Sequence, residues 1–280
     1  MKLHEINAGN FKLDGGAMYG VVPKSFWNKW NPADENNLCT WNMRCLLIEN
    51  GKQLLLIDTG MGSKQDLKWQ NYFQPHGDSD LISSIRKIGF SENDITDVVL
   101  SHLHFDHCGG AVTIKNNNLE TTFKNAKYWT HSSHWDWAQN PNSREKATFL
   151  KENMLPIKEN GQLYFIDKQE IPPFDNIELL LADGHTEKMI MPLINLSGKK
   201  ILFVADTIPS ASHVHVPYVM GYDVRPLVTM DEKLTILEKA VAENWILYYD
   251  HDPKHSCSQI ELTEKGFRAY NFGNLNTFNL

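Results

Sequence analysis

The sequence predicts an α+β chain whose two halves each run mostly through strands and then helices, the pattern of a four-layer αββα sandwich. Three observations carry this expectation. Short apolar strand patterns bounded by turn residues recur in both halves. Helical spacing follows them in each half. The 280 residues hold no internal repeat, low-complexity segment or linker, so residues 1–280 read as one domain.

The elements follow in order. Leu3 to Ala8 and Phe11 to Gly20 read as strands, with Gly15-Gly16 interrupting the second. Met43 to Glu49 and Gln53 to Asp58 flank Asn50-Gly51, a strong two-residue hairpin signal. Asp80 to Ile88 has helical spacing of Leu81, Ile82, Ile85 and Ile88, and Gly89 stops it. Ile95 to Leu100 is a buried-strand pattern. Ala126 to Thr130 reads as a strand, Ser132 to Gln139 as a short helix, and Ser143 to Leu155 as a second helix ended by Pro156. Gln162 to Ile166, Ile177 to Ala182 and Met189 to Leu196 read as strands, and Ser197-Gly198 turns the last into Lys200 to Ala205. Asp231 to Glu243 is an amphipathic helix with Leu234, Leu237 and Val241 on one face, and Trp245 to Tyr249 is a buried strand.

Bulk properties narrow the partners. The net charge is −7, from 27 basic and 34 acidic residues, and no block of Lys or Arg interrupts it. A nucleic-acid partner is therefore not expected. No apolar run reaches the ~18–20 residues of a membrane helix, and the first residues show no secretory apolar core. The scattered cysteines Cys39, Cys45, Cys108 and Cys257 fit reduced thiols in a cytoplasmic protein.

The chemistry sits in Ser101-His-Leu-His-Phe-Asp-His-Cys-Gly-Gly110. His102, His104, Asp106 and His107 are four metal-ligand side chains within six positions, too many for one ion and enough for two, at the end of a buried strand. Further such residues close later strands: Asp58 in Asp58-Thr59-Gly60, His185 in Asp183-Gly184-His185-Thr186, Asp206 after Lys200 to Ala205, and His251 after Trp245 to Tyr249. A carboxylate ending an apolar strand, as at Asp206, is costly unless a metal or hydrogen bonds satisfy it.

With His-x-His-x-Asp-His and these positions in series, the chain resembles the metallo-β-lactamase fold hydrolases over nearly its whole length. The resemblance implies two divalent metal ions per chain, zinc by default, with manganese, iron or cobalt fitting the same donors. It implies that His102, His104 and His185 hold the first ion, that Asp106, His107 and His251 hold the second, and that Asp206 bridges them. His104 stands where redox di-iron members of the superfamily tend to have glutamate, which points to the hydrolytic branch. Aspartate at 206 departs from the β-lactamases, which use a cysteine near that position. A water shared by the two ions would lose a proton near neutral pH and attack the substrate, and Asp106 would shuttle a proton to the leaving group. Asp58 reads as an outer residue that orients a ligand histidine.

In layout the chain is most similar to acyl-homoserine-lactone lactonases and methyl-parathion-type organophosphate hydrolases. The expected substrate is a small ester or lactone. Phosphotriester, phosphodiester or glutathione-thioester hydrolysis by the same metals are the alternatives, and a non-enzymatic metal-stapled sensor is the reading of a different class. Glutathione would want a basic cluster, for which only Lys254, Lys265 and Arg268 are candidates. The resemblance has one gap: the lactonases carry a tyrosine three residues after the bridging aspartate, and here that position is Pro209. Tyr218, His213 and His215 are candidate replacements. The irregular aromatic segment Met18 to Trp41, with Phe26, Trp27 and Trp30, is expected to wall the site mouth or to make a homodimer contact, and Trp135 and Trp137 either join that wall or pack in the core.

Overall fold

The computed structural model describes residues 1–168 and 176–280. The chain divides into two compact units, one of Met1–Asn10 with Met43–Pro173 and the other of Phe11–Asn42 with Phe174–Leu280. Two strands, β1 (Lys2–Asp14) and β2 (Leu38–Asn50), carry the chain from one unit into the other.

The first unit is organised by a six-stranded sheet in the order β1, β2, β3 (Gln53–Ile57), β4 (Asp97–Val99), β7 (Lys127–Thr130) and β8 (Leu163–Phe165). The Asn50-Gly51 hairpin forms as its sequence dictates: Asn50 pairs with Gln53, and Gly51 takes the positive φ of 63° that the tight turn requires. β3, β4, β7 and β8 are mutually parallel. Internal parallel strands are buried on both faces, which is why Leu54-Leu-Leu-Ile57 is continuous rather than alternating. Leu54 and Leu56 join a core with Ile6, Leu47, Ile85 and Tyr128. Helix α4 (Leu81–Lys87) seats Leu81 and Ile85 in that core, and Asp80 and Ser83 close a reciprocal capping box at its start. The expected strands at 95–100 and 162–166 and the helix Ser132–Gln139 (α6) are present.

The second unit holds a sheet in the order β14 (Gly266–Gly273), β13 (Cys257–Thr263), β12 (Ile246–Tyr248), β11 (Lys199–Phe203), β10 (Met189–Leu196) and β9 (Ile177–Ala182). β11 and β12 are parallel neighbours, and β9 and β10 form an antiparallel pair closed at Ala182↔Met189. Loops leaving these ends carry the later candidate ligands.

Several expectations are corrected. The strand expected over Phe11 to Gly20 stops at Asp14, because the Asp14 carboxylate accepts from Ala17 N and caps a short helix, α1 (Gly15–Tyr19). A Cβ on Gly15 would lie 2.4 Å from the Trp27 ring, so that helix start requires glycine for space alone. The helix expected at Ser143 to Leu155 is displaced to α7 (Lys151–Glu159) and includes Pro156. The Asn142 side chain accepts from Arg144 N and Glu145 N and holds the preceding stretch in turns. The last helix, α8 (Pro226–Ala242), starts five residues early on a favourable first-turn proline. Its buried face is Thr229, Lys233, Ile236, Leu237 and Ala240, so Leu234 and Val241 stand exposed. The other α-helices and strands among the described residues are α2 (Lys24–Trp27), α3 (Leu67–Phe73), α5 (Phe105–Cys108) and the hairpin β5 (Val112–Lys115) with β6 (Asn118–Thr121).

Lys233 explains why that face is turned. Its ammonium is fully buried and donates to the carbonyls of His215, 3.0 Å, and Tyr218, 2.7 Å. Burial pushes its pKa down to about 7. The unfolded chain therefore binds this proton between about pH 7 and 10 while the folded chain does not, and stability rises with pH across that window. Relative to Lys233→Met, the wild type should gain about 4 kcal/mol from pH 7 to pH 10, at 1.36 kcal/mol per unit, measured by denaturant unfolding of both proteins. A difference that does not change with pH would contradict a depressed Lys233.

Candidate metal centre

In the first unit, the ends of parallel strands β3 and β4 deliver Asp58 and the loop Ser101–His107. Thr59 N and Oγ1 both donate to the His107 carbonyl, at 2.7 and 2.9 Å, and tie the two loops together. The loop then passes so close to its neighbours that a Cβ on Gly110 would lie 2.1 Å from Thr59 O, and one on Gly109 2.2 Å from Met61 O. The two glycines closing the motif are thus required by backbone approach.

Asp58 is the hub. Its Oδ1 accepts from Ser101 N, 2.7 Å, and its Oδ2 accepts from Ser101 Oγ, 2.7 Å, and from His107 Nδ1, 2.9 Å. It holds φ at 59°, a left-handed value that non-glycine residues adopt at a cost of about 1–3 kcal/mol. Because the Ser101 hydroxyl proton is committed to Asp58, the 3.1 Å contact between Ser101 Oγ and His102 Nδ1 must be donated by the histidine. His104 donates Nε2–H to Glu145 Oε1, 3.3 Å. With those tautomers His102 Nε2 and His104 Nδ1 carry no proton, and they face each other at 3.1 Å. Two unprotonated nitrogens at that distance repel unless a cation lies between them. Two nitrogens ~2.0–2.1 Å from one zinc at a tetrahedral angle stand about 3.3 Å apart, so the donors fit a shared metal. Asp106 Oδ2 lies 3.9 Å from His107 Nε2.

The second unit repeats the device. His185 donates Nδ1–H to Asp223 Oδ1, 2.9 Å, and His251 donates Nδ1–H to the Asn42 carbonyl, 2.7 Å. Asp206 then presents Oδ2 to His185 Nε2 and Oδ1 to His251 Nε2, each at 3.1 Å. One oxygen toward each histidine is the disposition of a bridging carboxylate. Burial opposes charge on His185, but Asp206 and then Asp223 outweigh it and hold the ring at about 10, so the position favours positive charge at Nε2. The preceding Ala205 has φ 43°, so the chain is turned sharply into Asp206. Gly184 lies against α8, where a Cβ would meet Thr229 N at 2.4 Å, and Glu232 of that helix accepts from Asp183 N and Gly184 N. Asp250 joins Asp206 and His251, with ligand atoms within 4.8 Å of one another. Sequence reasoning passed over Asp250, Asp223, Glu145 and Ser101. Asp250 carried the available signal, since it ends an apolar strand as Asp206 does.

The candidate substrate residues are placed as follows. His213 is buried, with Nε2 donating to Met18 O, 2.9 Å, so its Nδ1 accepts from Ser210 Oγ, 2.7 Å. That fixes a one-way chain in which Tyr19 Oη donates to Ser212 Oγ, and Ser212 Oγ to Ser210 Oγ, each at 2.7 Å. Burial first, and then the neighbouring Lys233 charge against the Met18 carbonyl, leave His213 depressed to about 3. Both ring nitrogens are thus engaged inside the protein. Trp27 is 1% exposed and stacks on Tyr19, whereas Phe26 and Trp30 are 57% and 49% exposed. Tyr218 gives its carbonyl to Lys233 and its ring to an edge contact with His215. Arg268 is committed to His215 Nδ1, 2.7 Å. Trp135 packs in the core of the first unit, and the Trp137 indole donates to Glu145 Oε2, 2.7 Å.

Removing the hub tests this arrangement. Asp58→Ala releases His107 and Ser101 together, and zinc affinity should fall about 10- to 100-fold in competition with a chromophoric chelator, with the circular dichroism spectrum unchanged. Undiminished affinity would show that the ligand histidines hold themselves.

The chain is similar to known proteins over most of its length. The chain is 25% identical over 265 residues to an N-acyl homoserine lactonase of Bacillus cereus, covering 90% of this chain and 93% of that one. The crystal structure of a probable metal-dependent hydrolase from Staphylococcus aureus matches with a TM-score of 0.87 at 26% identity, over 97% of this chain and 96% of that one. AidC, a dizinc quorum-quenching lactonase solved with the product N-hexanoyl-L-homoserine, matches in fold with a TM-score of 0.79 at 21% identity, over 96% and 95%. The sequence model of the metallo-β-lactamase superfamily matches residues 44–251, and the chain belongs to that superfamily.

Proposed function

We propose that this metal-dependent hydrolase cleaves a small ester or opens a lactone carrying an apolar acyl group, using two divalent metal ions, zinc foremost. His102, His104, Asp106 and His107 of the first unit and His185, Asp206 and His251 of the second would hold the ions. The observation that carries the reading is the fixing of all five histidines: one ring nitrogen of each is held by a hydrogen-bond partner, which sets the direction in which the other nitrogen faces. When bound, such ions polarise a carbonyl and make water acidic near neutral pH. Asp206 would orient both histidines of its unit, and Asp106 would hold a proton at Oδ2 and give it to the leaving oxygen. The lactonase likeness of the B. cereus relative supports a lactone, and the dizinc centre described for AidC supports zinc.

The acyl preference rests on helix α3, which buries none of its residues. Trp69 and Phe73 lie 4.9 and 4.5 Å, ring to ring, from Phe105, the residue between His104 and Asp106. Leu67 and Tyr72 extend this surface into solvent at 76% and 73% exposure. An aromatic face this open, standing on the ligand loop, suits an alkyl or aryl chain.

With a series of N-acyl homoserine lactones on the zinc-loaded enzyme, kcat/KM should rise about fourfold per added methylene over the first few, at ~0.8 kcal/mol each. Trp69→Ala should flatten that slope. A flat slope in the wild type, or turnover confined to phosphotriesters, would overturn the acyl-lactone reading.

A further inference from the structure

A cavity of about 160 Å³ opens in the second unit. Its lining includes Ser210, Ser212 and Tyr19, whose hydroxyl protons are already committed in the one-way chain to His213. These three residues are therefore neutral and offer no spare hydroxyl donor. Other lining residues differ. Trp30 and Phe272 line the cavity as exposed aromatic rings, with the His255 ring 5.0 Å from Phe272. Lys29 and Lys254 line the same cavity, and neither ammonium has a carboxylate partner among the described residues; Lys254 Nζ reaches only the Trp30 carbonyl, 3.1 Å.

The one acid in the lining, Asp252, is already satisfied. Its Oδ1 accepts from Lys254 N and His255 N, and its Oδ2 accepts from Ala211 N. Two cations beside flat apolar rings, with their only local acid engaged by backbone, match a carboxylate attached to a short acyl or aryl group. The volume is below the ~300 Å³ of a pocket for a whole drug-sized ligand, so it suits an end group. The cavity also shares its wall with a candidate ligand loop: Asp252 follows His251, and His251 N donates to Pro209 O, next to Ser210.

We propose that this cavity is a carboxylate subsite, and that the preferred substrate is an ester or lactone bearing a free carboxylate away from the scissile bond. The proposal rests on the hydrolase reading above for turnover, though not for binding. The ammonium groups of Lys29 and Lys254 take the carboxylate, and Trp30 and Phe272 flank the carbon attached to it.

The test has two arms on the full-length, zinc-loaded protein. The first compares monophenyl succinate with its methyl ester, methyl phenyl succinate. The acid should be preferred in kcat/KM by about two- to fivefold, the scale of one ion pair at an exposed site. Lys254→Met or Lys29→Met should reduce that preference toward one, and Lys87→Met, on the first unit, should leave it in place. The second arm titrates phenylacetate by calorimetry, with Kd rising about two- to fivefold in Lys254→Met. If neither ester turns over, the hydrolase reading fails, and the phenylacetate arm alone then decides the subsite. Equal kcat/KM for the acid and its methyl ester in the wild type, or phenylacetate binding indifferent to both lysine substitutions, would overturn the proposal.

Discussion

A histidine binds a metal through a nitrogen that carries no proton, so its ring must be locked into one tautomer from the far side. That constraint governs much of what surrounds the candidate centre. Ser101, Glu145, Asp58, Asp223 and the Asn42 carbonyl each take one ring proton. Asp58 does the most, since it fixes His107 directly and fixes His102 by spending the Ser101 proton. The His102–His104 pair then brings two ring nitrogens face to face at 3.1 Å, a spacing that fits two donors to one metal.

Holding such a set costs backbone freedom nearby. Asp58 and Ala205 adopt left-handed φ values, and Gly109, Gly110 and Gly184 lie where any side chain would collide. Strain of this kind persists only when the surroundings over-determine it. In the first unit the parallel core strands do so. In the second, α8 does so: Glu232 holds the His185 loop by two backbone amides, while buried Lys233 holds the carbonyls of residues 215 and 218. The helix is thus a brace for the loop, which explains a buried face containing a lysine and a threonine.

The parts of the fold and site legible in the sequence were those set by local chemistry. The Asn50-Gly51 hairpin, the capped helix after Asp80 and the strand-end histidines and aspartates follow from turn, cap and ligand preferences that act over a few residues. Family resemblance supplied the grouping of the ligands. What stayed hidden depends on partners far along the chain. Glu145 reads as a helix-surface acid until its contact with His104, 41 residues away, is known. Asp223 meets His185 across 38 residues. Lys233 reverses the apparent polarity of α8 because its acceptors lie in another loop. Helix α3 escaped notice because it buries nothing and so lacks a two-sided pattern. The C-terminal hairpin β13–β14 is similarly masked by polar residues such as Arg268 and Asn271 in its second strand.

We propose that the candidate ligands hold two ions. Metal content by elemental analysis tests it most directly, on protein stripped by chelator, reloaded with zinc and freed of excess, alongside Asp206→Ala. About two zinc ions per wild-type chain, with fewer in the variant, is the expected result. One ion or none in the wild type, or two retained without Asp206, would contradict it.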